Sequence, residues 1–170
     1  MRILHILYQS LPNLQGTSIR SRDLLRSQSA IGLEPIALTS PFQEPADPQK
    51  GRSTELIDGI EYHRFYNEKS GQIATDKGSN FFNRVNKFLQ LFAFIRKAKQ
   101  LAEDRHSEII HAHATFFAGF AGKYAARKNK VPFIYEIRSI WEEGANTYKK
   151  GMFFRLQKKL IRLLENHICR

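Results

Sequence analysis

Arg2-Ile-Leu-His-Ile-Leu-Tyr8, Gln9-Ser-Leu-Pro-Asn-Leu-Gln-Gly-Thr17 and Pro35-Ile-Ala-Leu-Thr39 decide the fold class. The first is a short apolar run of the kind found in a strand buried on both faces. The second carries Pro12, Asn13 and Gly16 and reads as a loop. Thr17 or Ser18 can cap a helix to about Ala30, with Ile19, Leu24, Leu25 and Ile31 turned inward and Gly32 at its C-terminal end. The third run is a second strand. Strand, loop, helix and strand in this order make a βαβ unit.

The same alternation continues outward. Residues 41–54, with Pro41, Pro45, Pro48 and Gly51, read as an exposed loop. Leu56-Ile57 and Ile60–Phe65 flank Asp58-Gly59, the signature of a β-hairpin. A helix is expected from about Asn80 to Arg105. One apolar stripe holds Phe81, Val85, Phe88, Phe92, Ile95 and Ala102, and a second holds Leu91, Phe94, Ala98 and Leu101. Such a helix calls for cover on more than one side. A strand at 108–113, an Ala/Gly-rich helix at 116–128, a strand at 132–137 and a helix at 152–168 complete the chain. The expected fold is α/β: a Rossmann-like, doubly wound, mainly parallel sheet with the hairpin at one edge. The expected order is hairpin, 35–39, 2–8, 108–113, 132–137, with the first strand central.

A length of 170 residues suits one domain, and 42% hydrophobic with 25% charged residues excludes a disordered chain. The apolar N-terminal segment is too short for a signal peptide, and no apolar run approaches a membrane span. Cys169 is the only cysteine, which excludes an intrachain disulfide and points to a reducing compartment. The formal charge of +11 suggests a phosphate-bearing partner. Basic residues crowd segments 81–105 and 149–170, mixed with Phe, Leu and Ile. That mixture favours an anionic membrane surface over nucleic acid; solvated faces of two packed helices are the plainer alternative. The candidate membrane contacts are Phe88, Leu91, Phe94 and Phe154, with Arg96, Lys97, Lys158 and Lys159.

In an open α/β sheet the ligand site lies beyond the carboxyl ends of the strands, where three segments converge. Gly16 permits close backbone approach, and the helix starting at Thr17 offers free N–H groups to an anion. No G-x-G-x-x-G and no Walker lysine are present, which disfavours nicotinamide and P-loop readings. His111-Ala-His113-Ala-Thr115 puts two histidines on one face of a strand. With no third ligand nearby, a metal is not expected. Instead, one histidine is expected under the sheet end and the other, His113, lining the pocket; two merely packed histidines are the alternative. Glu136 and Arg138 share one strand face and form either a structural salt bridge or a site in which Arg138 clamps an anion. Trp141 is either a sugar platform or core.

These segments, with Ile57-Asp-Gly-Ile-Glu-Tyr-His-Arg64, Ile109-Ile-His-Ala-His-Ala114 and Pro132-Phe-Ile-Tyr-Glu-Ile-Arg-Ser-Ile-Trp-Glu-Glu143, resemble the N-terminal half of family-four, GT-B-fold, retaining glycosyltransferases. The likeness runs to the exosortase-associated exopolysaccharide enzymes and spans the whole chain. It implies an acceptor-side Rossmann-like domain over 1–170, whose partner is a C-terminal domain of the same protein holding the nucleotide-sugar donor and absent from this chain. Gly16 and Thr17 would then bind the donor diphosphate, and His113, Thr115, Glu136 and Trp141 the acceptor. Many members carry a histidine where this chain has Arg138, which makes Arg138 a candidate for catalysis or for substrate charge. The implied reaction moves a hexosyl group from a nucleotide-sugar, with no cofactor and no metal, to a saccharide or lipid-linked acceptor in exopolysaccharide or cell-surface glycan synthesis. The implied location is the inner face of the cytoplasmic membrane, with the chain alone inactive. The rival readings are a flavodoxin-like ligand-binding domain without catalysis and a basic membrane- or nucleic-acid-binding module.

Overall fold

The computed structural model describes residues 1–43, 53–65, 81–113, 115–138 and 152–169. It contains β1 (Arg2–Leu7), α1 (Gly16–Ala30), β2 (Glu34–Thr39), β3 (Thr54–Ile57), β4 (Ile60–Arg64), α2 (Phe81–Asp104), β5 (Ile109–His113), α3 (Phe116–Asn129), β6 (Phe133–Glu136) and α4 (Met152–Cys169). The six strands order as β3-β4-β2-β1-β5-β6, with every pairing parallel except β3 with β4. This is the expected order, with β1 central. The hairpin turns where Asp58 and Gly59 take φ of 53° and 77°, the left-handed pair that an Asp-Gly turn supplies at low cost.

Strand alternation divides the core. Leu4, Ile6, Leu38, Ile110 and Ala112 face α2 and α3 and pack with Phe94, Ala98, Leu101, Ala118, Ala121 and Ala125. Leu7, Ala37, Ile60 and Tyr62 face the other way, onto Leu25 of α1. The small residues of α3 set how closely it approaches the sheet. A Cβ added at Gly122 would stand 2.9 Å from the Cβ of Ala112 in β5.

Several sequence expectations change. α1 begins two to three residues early, with Gln15 rather than Thr17 or Ser18 at the N-cap and no side-chain cap bond. Its buried face is Ser18, Ser21 and Leu25, while Ile19 and Ile31 are exposed. Gly32 (φ 83°) does end the helix. Pro41 to Gln43 are buried rather than part of an exposed loop, because they pack under the β1–α1 connection. On α2, Phe94, Ala98, Leu101 and Ala102 are core, but Phe88, Leu89 and Phe92 are 62–67% exposed. Among the described residues this helix is therefore covered on one side only. Trp141, read as either a sugar platform or core, lies outside the described residues, as do the side chains of Phe154 and Lys158.

Candidate functional site

The β1–α1 connection is held from below by a buried polar cluster. The Arg64 guanidinium, at the end of β4, donates to Ser10 Oγ and to Thr39 Oγ1 (3.0 Å) and pairs with Glu55 at 2.8 Å. The backbone N–H of Ser10 donates to Gln43 Oε1 at 2.8 Å. Arg64 is 2% exposed at its side chain, so this ion pair fixes the loop instead of facing a ligand. Sequence reading passed over Arg64. Its only signal was a charge following a buried strand.

Beyond the loop, α1 starts at Gly16 with no side-chain cap and no acidic residue in its first turn. Among the described residues, a Cβ at Gly16 would meet nothing within 4 Å. Exposed N–H groups at a helix start favour an anion there.

Arg138 ties this helix start to β6. Its Nη1 donates to the Thr17 carbonyl at 2.9 Å and to Ser21 Oγ at 2.7 Å, and its Nη2 lies 3.2 Å from Glu136 Oε2. The side chain is 4% exposed. The geometry is that of a strap, and the salt bridge with Glu136, one of the two readings of the sequence, is present. Glu136 also pairs with Arg20 at 2.9 Å. It borders an open cleft of about 560 Å³ between α1 and β5–β6, with Arg20, Asp23, Leu24, Ser27, His111 and Ile134.

The two histidines exchange the places expected for them. His113 is the buried one at 2% exposure, and His111 borders the cleft. His113 Nδ1 lies 2.7 Å from Glu136 Oε2 and 2.7 Å from Arg138 Nη2. Through Nδ1 its influence on a molecule in the cleft passes by way of those two residues. Burial, reinforced by neighbouring histidines and Arg138, pushes the His113 pKa far below the ordinary histidine range. Burial likewise takes His5 down to about 3. Sequence reading missed His5, which pairs in register with His111 across β1 and β5. A histidine inside an otherwise apolar strand was the available signal.

Thr115, expected on the acceptor side, precedes α3. Its Oγ1 is buried without a hydrogen-bond partner among the described residues. Beside it stands an aromatic wall that sequence reading did not assemble. Phe117 lies 4.7 Å from Phe42 and 6.3 Å from Tyr8, ring centre to ring centre, and Phe116 stacks on Phe117 at 4.2 Å. Tyr8 follows β1 and Phe42 follows β2, so the wall rises at the carboxyl edge of the sheet.

The sequence model of Glycosyltransferase Family 4 matches residues 16–170, from the first residue of α1 onward. The chain belongs to this family. Sucrose-phosphate synthase from Thermosynechococcus elongatus superposes with a TM-score of 0.62 over 99% of this chain, at 13% identity. This chain spans 40% of that enzyme's length. The C-terminal domain of a hydrogenase from Pyrococcus furiosus superposes with a TM-score of 0.53, at 14% identity, over 79% of this chain and 90% of that one. At such identities both likenesses are of fold. No curated protein matches the sequence. As a Glycosyltransferase Family 4 domain, the mostly parallel six-stranded sheet corresponds to the N-terminal domain of a GT-B fold. Its carboxyl edge carries Gly16, Thr17 and the aromatic wall.

Proposed function

We propose that this domain is the acceptor-side half of a retaining glycosyltransferase. It would move a hexosyl group from a nucleotide-sugar to a saccharide or lipid-linked acceptor in exopolysaccharide or cell-surface glycan synthesis. The observation that carries the reading is the family match over 16–170, which begins at the uncapped helix start facing the open sheet edge. Departure of a nucleoside diphosphate places negative charge on phosphate oxygens, and preoriented N–H donors stabilise that charge. Gly16 and Thr17 supply such donors. Arg138 holds the turn that presents them, through the Thr17 carbonyl and Ser21. The aromatic wall of Tyr8, Phe116 and Phe117 offers faces on which an acceptor sugar can stack. Glu136 is fixed by Arg20 and Arg138 at the neighbouring cleft.

The donor nucleotide belongs to a second Rossmann-like domain of the same protein. Neither a metal nor a cofactor takes part in the transfer in this reading. Half a site binds without accelerating chemistry, since acceleration requires contacts made in the transition state. This chain alone is therefore inactive in sugar transfer. The test pairs it with the full-length protein against a panel of nucleotide-sugars, reading the anomeric configuration of the product by NMR. Transfer with inversion, or none by the full-length protein, overturns the reading.

Membrane docking is part of the same proposal, with altered contacts. Leu91 and Phe94 are core, so the apolar contacts become Phe88, Leu89 and Phe92, one to two turns from Arg96 and Lys97. No helix among the described residues is long and apolar enough to cross a membrane. Docking would therefore be peripheral, at the inner face of the cytoplasmic membrane.

A further inference from the structure

His5 and His111 stand opposite each other in the parallel register of β1 and β5, and His113 follows two residues on. Three imidazoles therefore share the α1 face of adjacent strands. One nitrogen from each ring lies within 4.8 Å of the others. Two of the rings have oxygen on their outer side: His5 Nε2 lies 2.8 Å from Gln28 Oε1, and His113 Nδ1 lies 2.7 Å from Glu136 Oε2. Their inner nitrogens, His5 Nδ1 and His113 Nε2, face each other at 2.8 Å. A neutral imidazole has one N–H. With both N–H groups directed to the outer oxygens, two lone pairs confront each other across the gap. His111 adds a third nitrogen: its Nε2 is buried, has no hydrogen-bond partner among the described residues and lies 3.7 Å from Glu136 Oε2.

We propose that His5, His111 and His113 bind a divalent transition-metal cation of borderline softness, with zinc the best fit. Three imidazoles and a water make an ordinary tetrahedral zinc set. Metal-bound histidines characteristically donate their second N–H to a carboxylate or carbonyl, the arrangement that Glu136 and Gln28 provide. Zn–N bonds of about 2.0–2.1 Å require the inner nitrogens to part to about 3.4 Å, a small opening of the present gap. Glu136 brings a negative charge beside the cation, offset in part by the Arg20 and Arg138 guanidinium groups that pair with it. The site clips β1 to β5 and takes no part in sugar transfer, so it stands apart from the reading above.

A metal-free arrangement competes with this one. Arg138 Nη2 also lies 2.7 Å from His113 Nδ1. If Arg138 donates there, the His113 proton turns to His5 and the His5 proton to Gln28, and the chain closes without a cation. Titration of the chelator-stripped chain with Co²⁺ and Zn²⁺ at neutral pH separates the two. The metal site predicts one equivalent bound, intense visible d–d bands of tetrahedral Co²⁺, and a higher melting temperature with Zn²⁺. His111→Ala removes the third nitrogen together with the ring contacts to His5 and His113, so the metal-free variant should melt somewhat below the parent while binding metal at least tenfold more weakly. If that variant fails to fold, His111→Gln serves in its place. Absence of tetrahedral bands at one equivalent, or undiminished binding in the folded variant, overturns the site in favour of the Arg138–His113–His5–Gln28 chain.

Discussion

Replacing Gly122 with alanine tests the closest approach between helix and sheet. A Cβ at this position would lie 2.7 Å from Phe133 Cε2 and 2.9 Å from Ala112 Cβ. Both distances are well inside ordinary carbon contact. The Ala112 methyl cannot rotate aside, and β5 is held between β1 and β6. The substitution must therefore push α3 off the sheet. Overpacking of this kind costs about 1–3 kcal/mol, and the immobile partner puts this site in the upper half. Alanine returns about 1 kcal/mol of helix propensity. The expected net loss is about 1–2 kcal/mol, a fall in melting temperature of about 2–8 °C. Gly119 is the internal control. Its added methyl meets the side-chain ends of Ile168 and Tyr135 at 2.8–3.1 Å, and these can shift. Propensity and crowding there should nearly cancel. Urea unfolding followed by far-UV circular dichroism reads both variants. If Gly122→Ala is as stable as the parent, the close packing of α3 on β5 is not what fixes the helix, and the argument fails.

Arg138→Ala removes the donors to Thr17 and Ser21 and leaves Glu136 with Arg20 and His113. Breaking a buried pair costs about 3 kcal/mol. Amide exchange in the first turns of α1 should accelerate, and unchanged exchange at residues 17–21 would exclude the strap. His63 is pushed below the ordinary histidine range by burial, partly opposed by its hydrogen bond to Glu61, with Arg105 and Lys97 lowering it further. The unfolded chain therefore takes up the proton first, so the His63 contribution is complete above pH 6.5 and declines as pH falls toward the folded value. His63→Gln should show a shallower loss of stability between pH 7 and 5, and equal slopes would rule this out. Substituting Phe88 and Phe92 together by serine should weaken binding to anionic vesicles at least fivefold, since each ring contributes about 1.5–3 kcal/mol when fully buried. Co-sedimentation at low and high salt reads this, and equal binding by both proteins would remove α2 from the membrane contact.

The strand–helix alternation, the Asp58-Gly59 turn, the central place of β1 and the close-packing character of α3 were legible in the sequence. Each depends on local periodicity or on a residue's own backbone preference, which neighbours in the chain determine. The orientation of an amphipathic surface was not. Phe88 and Phe94 are equally apolar, yet one is exposed and the other fully buried, because the helix has apolar residues around most of its circumference and only packing selects a side. The same holds for the candidate site. Gly16 and Thr17 could be named from their position after a strand. Arg138 was named too, but its attachment to Thr17 and Ser21 joins residues more than 110 positions apart. His5 and Arg64 drew no attention because each sits in a strand whose neighbours explain nothing about it. Their meaning comes from His111 and His113 for the one, and from Ser10, Thr39 and Glu55 for the other. These contacts exist only once β1 lies beside β5 and β4 beside β2, since a charge or an imidazole acquires its chemistry from groups that the sheet, not the chain, brings within hydrogen-bond reach.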